Sequence, residues 1–183
     1  MTTHIIFISG VGDTRRRFYE VASRWLMSRT LRVHPYIFGW DRYDSDFETQ
    51  FAELLEYIDS FDGERVCLVG ISAGGTAALN ALAARPHIAK VAFVSSPFQK
   101  YHYTNPLLLE SIERAEKSFT SFDASAKQKL LIITGLRDQV VPTYLSRLDG
   151  VKRRRVFGLT HAMSIGVATL VTPRILKRFL RSP

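Results

Sequence analysis

The sequence has little cysteine and no long hydrophobic run. Its 183 residues include one cysteine, Cys67, so neither an intrachain disulfide nor a cysteine-based metal site is expected. The apolar stretch that begins at Ile5 is short, contains Ser9 and lacks the preceding basic segment of a secretory signal. No run approaches the ~18 apolar residues that a membrane-spanning helix needs. These absences predict a cytoplasmic protein with no membrane span.

Positive charge exceeds negative charge along the chain. There are 25 Lys and Arg against 17 Asp and Glu, a formal net charge of +8, with basic clusters at 15–17, 152–155 and 177–181. Such clusters favour nucleic acid, anionic lipid or acidic substrates. Alternatively they serve solubility, and the cluster near residues 151–157 protects an exposed sheet edge. No nucleic-acid-binding motif is recognisable and the clusters are far apart in sequence, so we favour the second interpretation and expect no nucleic-acid partner.

Short β-branched runs alternate with segments of helical periodicity through the whole chain. Strands are predicted at 4–9, 33–38, 65–70, 88–95, 129–134 and 152–157. Most are apolar on consecutive residues, which suits strands covered on both faces. Right-handed crossovers then place helices on both sides of the sheet. The sequence predicts one α/β domain over residues 1–183, a three-layer α/β/α sandwich with a six-stranded, mostly parallel sheet and a short cap-like insertion at about 96–126.

Capping patterns indicate where two of the helices begin. Ser45 with Glu48 forms a capping-box pattern ahead of an apolar stripe. Asn105 followed by Pro106 is typical of a helix start, and it places a helix within the 96–126 segment.

The segment Gly70-Ile71-Ser72-Ala73-Gly74 is a GxSxG pattern between a strand and a helix rich in small residues. By chance this pattern occurs in roughly one chain in twenty of this length. A sharp strand-to-helix turn needs small flanking residues, and it projects the serine hydroxyl at the carboxyl edge of the sheet. Ser72 is therefore the candidate nucleophile; the alternative is a turn serine whose neighbouring glycines only allow close helix packing.

A serine nucleophile needs a base, and the base needs an acid that orients it. Asp138 follows the fifth predicted strand and His161 follows the sixth, so both belong in loops at the same edge as Ser72. The other histidines do not follow the last strand, and we interpret them as structural or surface residues: His4, His34, His87 and His102. Three further acids after the second strand are interpreted as capping or solvated residues: Asp41, Asp44 and Asp46.

Together these features resemble the α/β-hydrolase fold superfamily, whose nucleophile, acid and base follow this chain order. The resemblance covers essentially the whole chain and rests on the GxSxG turn, the GxxDxxVP segment around Asp138 and the GxxH segment around His161. It implies an α/β-hydrolase fold lacking the first two strands of larger members. It also implies a catalytic triad of Ser72, Asp138 and His161, and no metal or cofactor.

The same resemblance implies where an oxyanion would bind. The first strand ends in Ser9-Gly10-Val11-Gly12, where the superfamily commonly has a His-Gly-containing loop, with Ser9 here in place of the histidine. The backbone N–H groups of Ala73 and Val11 would form the oxyanion hole. Gly10 belongs to the same loop and is a candidate substrate contact.

The implied reaction is hydrolysis of a small carboxylic ester or thioester through an acyl-enzyme. Phe98, Tyr101 and Tyr103 are candidates to line an apolar acyl site, or they attach the 96–126 segment to the core. Arg15, in the basic cluster at 15–17, is a candidate contact for an anionic part of the substrate, or part of a solvated face. The other class of function that stays open is a non-catalytic ligand- or protein-binding member that keeps the hydrolase scaffold.

Overall fold

The computed structural model describes residues 2–12, 16–42 and 45–182, with only the backbone described for 16–19. Over these residues the central sheet has six strands and is parallel throughout. The strand order is β2-β1-β3-β4-β5-β6, and the bounds are β1 Thr3–Ile8, β2 Leu31–Tyr36, β3 Arg65–Ile71, β4 Lys90–Val94, β5 Leu130–Gly135 and β6 Lys152–Val156. The predicted α/β architecture is confirmed.

Helices cover both faces of this sheet. Along the described chain they are α1 Arg16–Leu26, α2 Phe47–Asp59, α3 Gly74–Ala84, α4 Pro106–Thr120, α5 Ala124–Gln128, α6 His161–Gly166 and α7 Pro173–Arg181, with a π-helical turn Val167–Val171 between the last two. Apolar residues of α2, α3 and α4 form a core cluster on one face. Residues of α1, α6 and α7 form a second cluster on the other face.

Neighbouring residues of the central strands enter opposite clusters because strand side chains alternate in direction. In β1, Ile6 lies in the cluster of α2–α4 and Phe7 in the cluster of α1, α6 and α7; in β3, Leu68 and Val69 divide in the same way. All four are fully buried. This two-sided burial explains why the strands are apolar on consecutive residues.

Two helix starts differ in how they match the capping patterns. At α2 the cap is Asp46, whose carboxylate accepts from the backbone N–H of Thr49 at 2.7 Å. The Ser45–Glu48 capping box is therefore wrong by one position, and the Ser45 hydroxyl instead accepts from the side chain of Gln50. At α4 the cap is Asn105, as the sequence indicates.

Helix α4 occupies much of the 96–126 segment and packs on α3. The hydroxyls of Thr76 and Ser111 lie 2.7 Å apart, and Asn80 donates to the backbone oxygen of Ser111 at 3.0 Å. Its apolar residues Leu108 and Ile112 are buried in the core. The segment therefore contributes a helix to the layer that covers one face of the sheet.

The two edges of the sheet are formed by β2 and β6. In β6 the side chains from Lys152 to Arg155 are all exposed and only Val156 is buried. The basic strand thus lies at an exposed edge, as the sequence indicates. Within the described residues, no helix is long and apolar enough to cross a membrane.

Candidate active site

The candidate nucleophile lies on a sharp turn between β3 and α3. Strand β3 ends at Ile71 and α3 begins at Gly74, so two residues reverse the chain. Ser72 has a φ of 51°, in the left-handed region that non-glycine residues rarely occupy. Its backbone N–H donates to the oxygen of Val94 at 2.9 Å. The turn has the strained geometry of a nucleophile elbow.

Close backbone contacts explain the glycines on both sides of Ser72. A Cβ on Gly70 would overlap the backbone of Gly74 and Gly75, because the chain folds back on itself there. A Cβ on Gly74 would lie 2.6 Å from the oxygen of Ser9 at the end of β1. The glycines of the GxSxG pattern are therefore required by the turn itself and by its contact with the neighbouring strand.

Ser72, His161 and Asp138 form a continuous hydrogen-bonded chain. The Nε2 atom of His161 lies 3.0 Å from Oγ of Ser72. The Nδ1 atom of His161 lies 2.9 Å and 3.0 Å from the two carboxylate oxygens of Asp138. A carboxylate at Nδ1 favours the tautomer that leaves Nε2 free to accept the serine proton. The structure thus brings together three residues separated by up to 89 positions in the sequence.

Asp138 is held ionised in a nearly closed environment. Its side chain is 1% exposed, and burial raises the pKa of the carboxyl. The hydrogen bond from His161 and the N–H of Val141, which donates at 2.8 Å, outweigh burial and hold the pKa of Asp138 below its usual value of 3.8. The N–H of Val140 also donates to the same oxygen, at 3.1 Å. Asp138 is therefore both negatively charged and fixed in orientation.

Hydrogen bonds between loops fix the position of His161. The N–H of Arg137 donates to the oxygen of Gly158 at 2.9 Å, which joins the loop of the acid to the loop of the base. The N–H of His161 donates to the side-chain oxygen of Gln139 at 3.3 Å. Thr160 caps α6, so His161 is the first residue of that helix. The imidazole therefore has support from both the preceding loop and its own helix.

The candidate oxyanion loop lies beside Ser72. A Cβ on Gly10 would be 2.8 Å from Cβ of Ser72, so the backbone after β1 passes close to the Ser72 side chain. Val11 follows in a turn with its side chain partly exposed, and Ala73 is buried at the start of α3. The N–H of Gly12 donates to Asp41 at 3.1 Å, which anchors the loop.

Ser9 belongs to a network that no sequence pattern indicates. Its hydroxyl accepts from the N–H of Phe38 at 3.0 Å, and its backbone oxygen accepts from the indole N–H of Trp40 at 2.8 Å. The backbone oxygen of Trp40 in turn accepts from the side chain of Asn105 at 2.9 Å. These bonds join the loops after β1, β2 and β4. Ser9, which stands where the superfamily commonly has a histidine, thus supports the candidate oxyanion loop through these bonds.

The candidate substrate contacts separate into two groups. Tyr101 is 43% exposed and its ring packs against Tyr103 with centroids 5.9 Å apart. Burial, followed by the charge of Asp138, raises the pKa of Tyr103 to about 12. Phe98, by contrast, is 1% exposed and packs edge-on against Phe93, so of its two alternatives the structure supports attachment of the segment to the core. Arg15 lies outside the described residues.

A second serine lies near Asp138, and the sequence patterns did not indicate it. Ser95 directly follows β4, is 1% exposed and has a φ of 50°. Its hydroxyl is close enough to Asp138 to contribute to the lowered pKa of that carboxyl, although it makes no hydrogen bond of ordinary geometry. In the sequence Ser95 has no flanking glycine, so no local pattern marks it.

Several of the other histidines and acids named in the sequence analysis have partners outside the candidate triad. Nδ1 of His4 lies 3.0 Å from Nε2 of His34, and the two rings are stacked. Asp46 caps α2 and Asp41 holds Gly12, while Asp44 lies outside the described residues. Among described residues, no group of three or more His, Cys, Asp and Glu side chains could hold a metal ion.

Comparisons with known proteins agree with this architecture. The profile of the Alpha/beta hydrolase family matches residues 5–179. A monoacylglycerol lipase of Paleococcus ferrophilus is 14% identical, with a TM-score of 0.72 over 97% of this chain and 93% of that chain. The esterase domain of a Rhodothermus marinus protein has the same identity and TM-score over 98% and 86% of the two chains.

A bromoperoxidase of Bacillus anthracis is 17% identical, with a TM-score of 0.68 over 100% of this chain and 93% of that chain. At these identities the structural neighbours show the fold alone. No curated protein matches the sequence significantly. Because the family profile extends over nearly the whole sequence, the chain belongs to the alpha/beta hydrolase family.

Proposed function

We propose that this chain is a serine hydrolase that cleaves a small carboxylic ester or thioester through an acyl-enzyme on Ser72. One observation carries the proposal: the unbroken hydrogen-bonded chain from Oγ of Ser72 through both nitrogens of His161 to the buried carboxylate of Asp138. A purely structural turn serine has no need of a base that is itself oriented by a buried acid.

In the first half of the reaction, Oγ of Ser72 attacks the carbonyl carbon while its proton moves to Nε2 of His161. The carbonyl oxygen becomes an oxyanion, which accepts from the N–H groups of Ala73 and Val11. Asp138 stabilises the imidazolium that forms. The carbon–oxygen or carbon–sulfur bond then breaks, Nε2 gives its proton to the leaving atom, and an alcohol or thiol departs.

In the second half, water attacks the acyl-enzyme. Nε2 of His161 takes a proton from the water as the new carbon–oxygen bond forms, and the same two N–H groups hold the second oxyanion. The bond to Oγ of Ser72 then breaks, and the proton returns to the serine. The products are a carboxylic acid and the regenerated enzyme.

The surroundings of the triad support a small acyl substrate. Tyr103 lies near Asp138 and packs against the ring of Tyr101. Tyr144 lies beside Tyr101, and burial, followed by the charge and hydroxyl of Tyr101, raises the pKa of Tyr144. Aromatic faces with polar ends suit an acyl chain that ends in an ester group. The esterase and lipase among the structural neighbours act on compatible bonds.

Labelling with a fluorophosphonate probe tests the proposal directly. Wild type and Ser95→Ala are expected to label, and Ser72→Ala is not. Ser95 is the matched control because it is also a serine in a left-handed conformation at the end of a strand. p-Nitrophenyl esters of increasing chain length and an acyl thioester then define the substrate. Absence of labelling that depends on Ser72 would contradict hydrolysis and favour the non-catalytic binding protein.

A further inference from the structure

The net positive charge of the chain comes from its C-terminal segment. All 17 acidic residues precede Gly150, whereas residues 150–183 contain eight of the 25 Lys and Arg and no Asp or Glu. The preceding part of the chain therefore has equal numbers of basic and acidic side chains. Four of the eight cations are consecutive residues of the edge strand β6, from Lys152 to Arg155, and all four side chains are exposed.

The cations of β6 alternate between the two faces of the sheet. Lys152 is the register partner of Leu131, whose side chain is buried in the cluster of α1, α6 and α7. Arg153 is the partner of Ile132, which is buried in the cluster of α2, α3 and α4. Register partners on neighbouring strands share a face, and successive residues alternate, so Arg154 returns to the face of Lys152. Each face of this edge therefore has two cations.

The cations of β6 have no acidic partner within the described residues. The ion pairs of that part of the chain, such as Arg85 with Asp59, do not include a residue of β6. Asp149, the last acid of the chain, lines the same groove as Arg153 but is paired with Arg147 at 3.2 Å. The charge of β6 is therefore left for an external anion.

On the face covered by α7, the cations border a cleft of about 410 Å³. Lys152 and Arg154 line it together with Arg178 of α7, and Ile175 and Phe179 contribute apolar surface. Among the described residues, no acidic side chain lines this cleft. A carboxylate placed there would meet three cations while its methylene groups contact the apolar side chains.

The backbone of β6 also has an unpaired edge. Its neighbour in the described sheet is β5, so alternate N–H and C=O groups of β6 point away from the sheet. No backbone group of a described loop bonds to residues 152–156. The opposite edge strand β2 contains Pro35, which has no N–H and interrupts any further ladder. Of the two edges, β6 is therefore the one that can accept another strand along its whole length.

We propose that β6 binds an acidic segment of another protein, which adds to the six-stranded sheet as a further strand. Backbone hydrogen bonds along β6 hold the segment, and its acidic side chains pair with the cations. Because side chains of both strands alternate between the same two faces, four consecutive acids match the four cations from Lys152 to Arg155. This binding does not require the hydrolytic reaction.

The cations also determine which strands β6 excludes. Like charges on facing strands repel, so two copies of the chain do not pair through β6. The other edge strand, β2, contains no acidic residue and offers no complementary charge. A nucleic acid or an anionic bilayer would use the cations but leave the backbone edge unpaired. The combination of free backbone groups and cations on both faces therefore favours an acidic strand.

Binding of a synthetic peptide to the intact protein tests the proposal. The probe is a fluorescein-labelled peptide with four consecutive glutamates flanked by valine and threonine residues, titrated by fluorescence anisotropy. Binding is expected and should weaken as salt is raised. The same peptide with glutamine at the four positions is expected to bind on the order of 10-fold more weakly. Absence of binding, or equal binding of the two peptides, overturns the proposal.

Backbone pairing is tested separately from attraction by charge. Saturation with the glutamate peptide is expected to slow amide hydrogen exchange within residues 152–156 and to leave residues 31–36 of β2 unchanged. A peptide N-methylated at all four glutamates keeps its charge but cannot donate to β6, and it is expected to bind on the order of 10-fold more weakly. Unchanged exchange in β6, or equal binding of the N-methylated peptide, overturns strand addition.

The contribution of charge is measured with two double variants of equal net charge. Lys152→Gln/Arg154→Gln removes both β6 cations from the face of α7 and is expected to weaken peptide binding about 5-fold, since each exposed ion pair contributes roughly a factor of 1.5 to 5. Arg32→Gln/Lys117→Gln removes two exposed cations elsewhere, on β2 and α4, and is expected to change binding by less than about 2-fold. Circular dichroism controls for folding. Equal losses in both variants overturn the binding surface.

Two other polyanions test the choice of an acidic protein segment. Duplex DNA and vesicles of phosphatidylglycerol in phosphatidylcholine are each added to the protein at saturating concentration. Neither is expected to slow amide exchange within residues 152–156, because neither offers a peptide backbone to β6. If DNA or vesicles slow this exchange as much as the glutamate peptide does, the choice of a protein partner is overturned.

Discussion

Two serines at the ends of neighbouring strands have almost the same φ angle but different side-chain contacts. Ser72 comes after β3 with a φ of 51°, and Ser95 comes after β4 with a φ of 50°. Each N–H extends the hydrogen bonding to the next strand, from Ser72 to Val94 and from Ser95 to Ile133, both at 2.9 Å. Yet the hydroxyl of Ser72 reaches the base, and the hydroxyl of Ser95 is buried beside the acid.

The two serines are set apart by the chain immediately C-terminal to each of them. After Ser72 the chain enters α3 at once, and Gly74 lets the turn pack against the end of β1, which keeps the hydroxyl at the surface. After Ser95 the chain continues as a loop, which Ser146 fixes by donating to the oxygen of Ser96 at 2.7 Å. A left-handed serine at a strand end is therefore insufficient for a nucleophile. The hydroxyl must also be accessible and bonded to a base.

Replacing each serine by alanine is the strongest test of this contrast. Ser72→Ala is expected to lower kcat for ester hydrolysis on the order of 10⁶-fold, because removal of the nucleophile leaves only binding and the oxyanion hole. Ser95→Ala is expected to lower kcat less than about 10-fold, since the Ser95 hydroxyl lies near Asp138 but makes no hydrogen bond with His161. Rates are measured on a p-nitrophenyl ester, with circular dichroism as the control for folding. Similar losses of kcat in the two variants would contradict the proposed difference between Ser72 and Ser95.

Replacing Asp138 by asparagine tests the acid that lies beside Ser95 and is connected to Ser72 through His161. The amide oxygen can still accept from the N–H groups of Val140 and Val141, which turns the NH₂ group toward Nδ1 of His161. Nδ1 must then accept, so the proton moves to Nε2, and Nε2 can no longer take the proton of Ser72. A loss of about 10⁴ in kcat is expected, with KM nearly unchanged. A loss in KM alone would assign Asp138 to substrate binding.

The pH dependence of stability depends on the same carboxyl. Burial raises the pKa of Asp138, but the hydrogen bonds from His161 and Val141 lower it by more, so the folded pKa is below 3.8. The unfolded chain therefore binds this proton more readily, and the carboxylate stabilises the fold at every pH above 3.8. This contribution is lost as pH falls through the lowered pKa. In urea unfolding, the advantage of wild type over Asp138→Asn should shrink as the pH falls below about 4.

Short-range patterns explain how much of the fold the sequence could reveal. Each predicted strand lies within two residues of an observed one at both ends, because consecutive apolar residues report burial on both faces. Ser72, Asp138 and His161 are selected because each lies in a short motif shortly after a strand. The structure brings these three side chains together, and their catalytic roles stay predictions that the alanine and asparagine variants test.

Contacts between distant segments could not be predicted. Ser9 bonds the chain 29 and 31 positions away, and Asn105 reaches Trp40 across 65 positions. No local pattern in the sequence indicates which distant residues will form hydrogen bonds. The two alternatives for Phe98 stayed open for the same reason, because its contact with Phe93 forms only when the loop after β4 folds back on the core.

Glycine variants give the smallest and sharpest test of the two serines. Glycine removes the cost of a left-handed conformation, which stabilises the folded state by about 1 kcal/mol or more. It also raises the conformational entropy of the unfolded chain, which lowers the free energy of unfolding by up to about 1 kcal/mol. Ser95 loses no hydrogen bond of ordinary geometry on replacement, so Ser95→Gly should raise the free energy of unfolding by about 0.5 kcal/mol. Ser72→Gly also loses the bond to His161 and should show no gain. Alanine variants, which keep the strain, are the reference in urea unfolding. If Ser95→Gly is less stable than Ser95→Ala, the left-handed backbone at Ser95 is not strained, and the resemblance between the two turns ends at their φ angles.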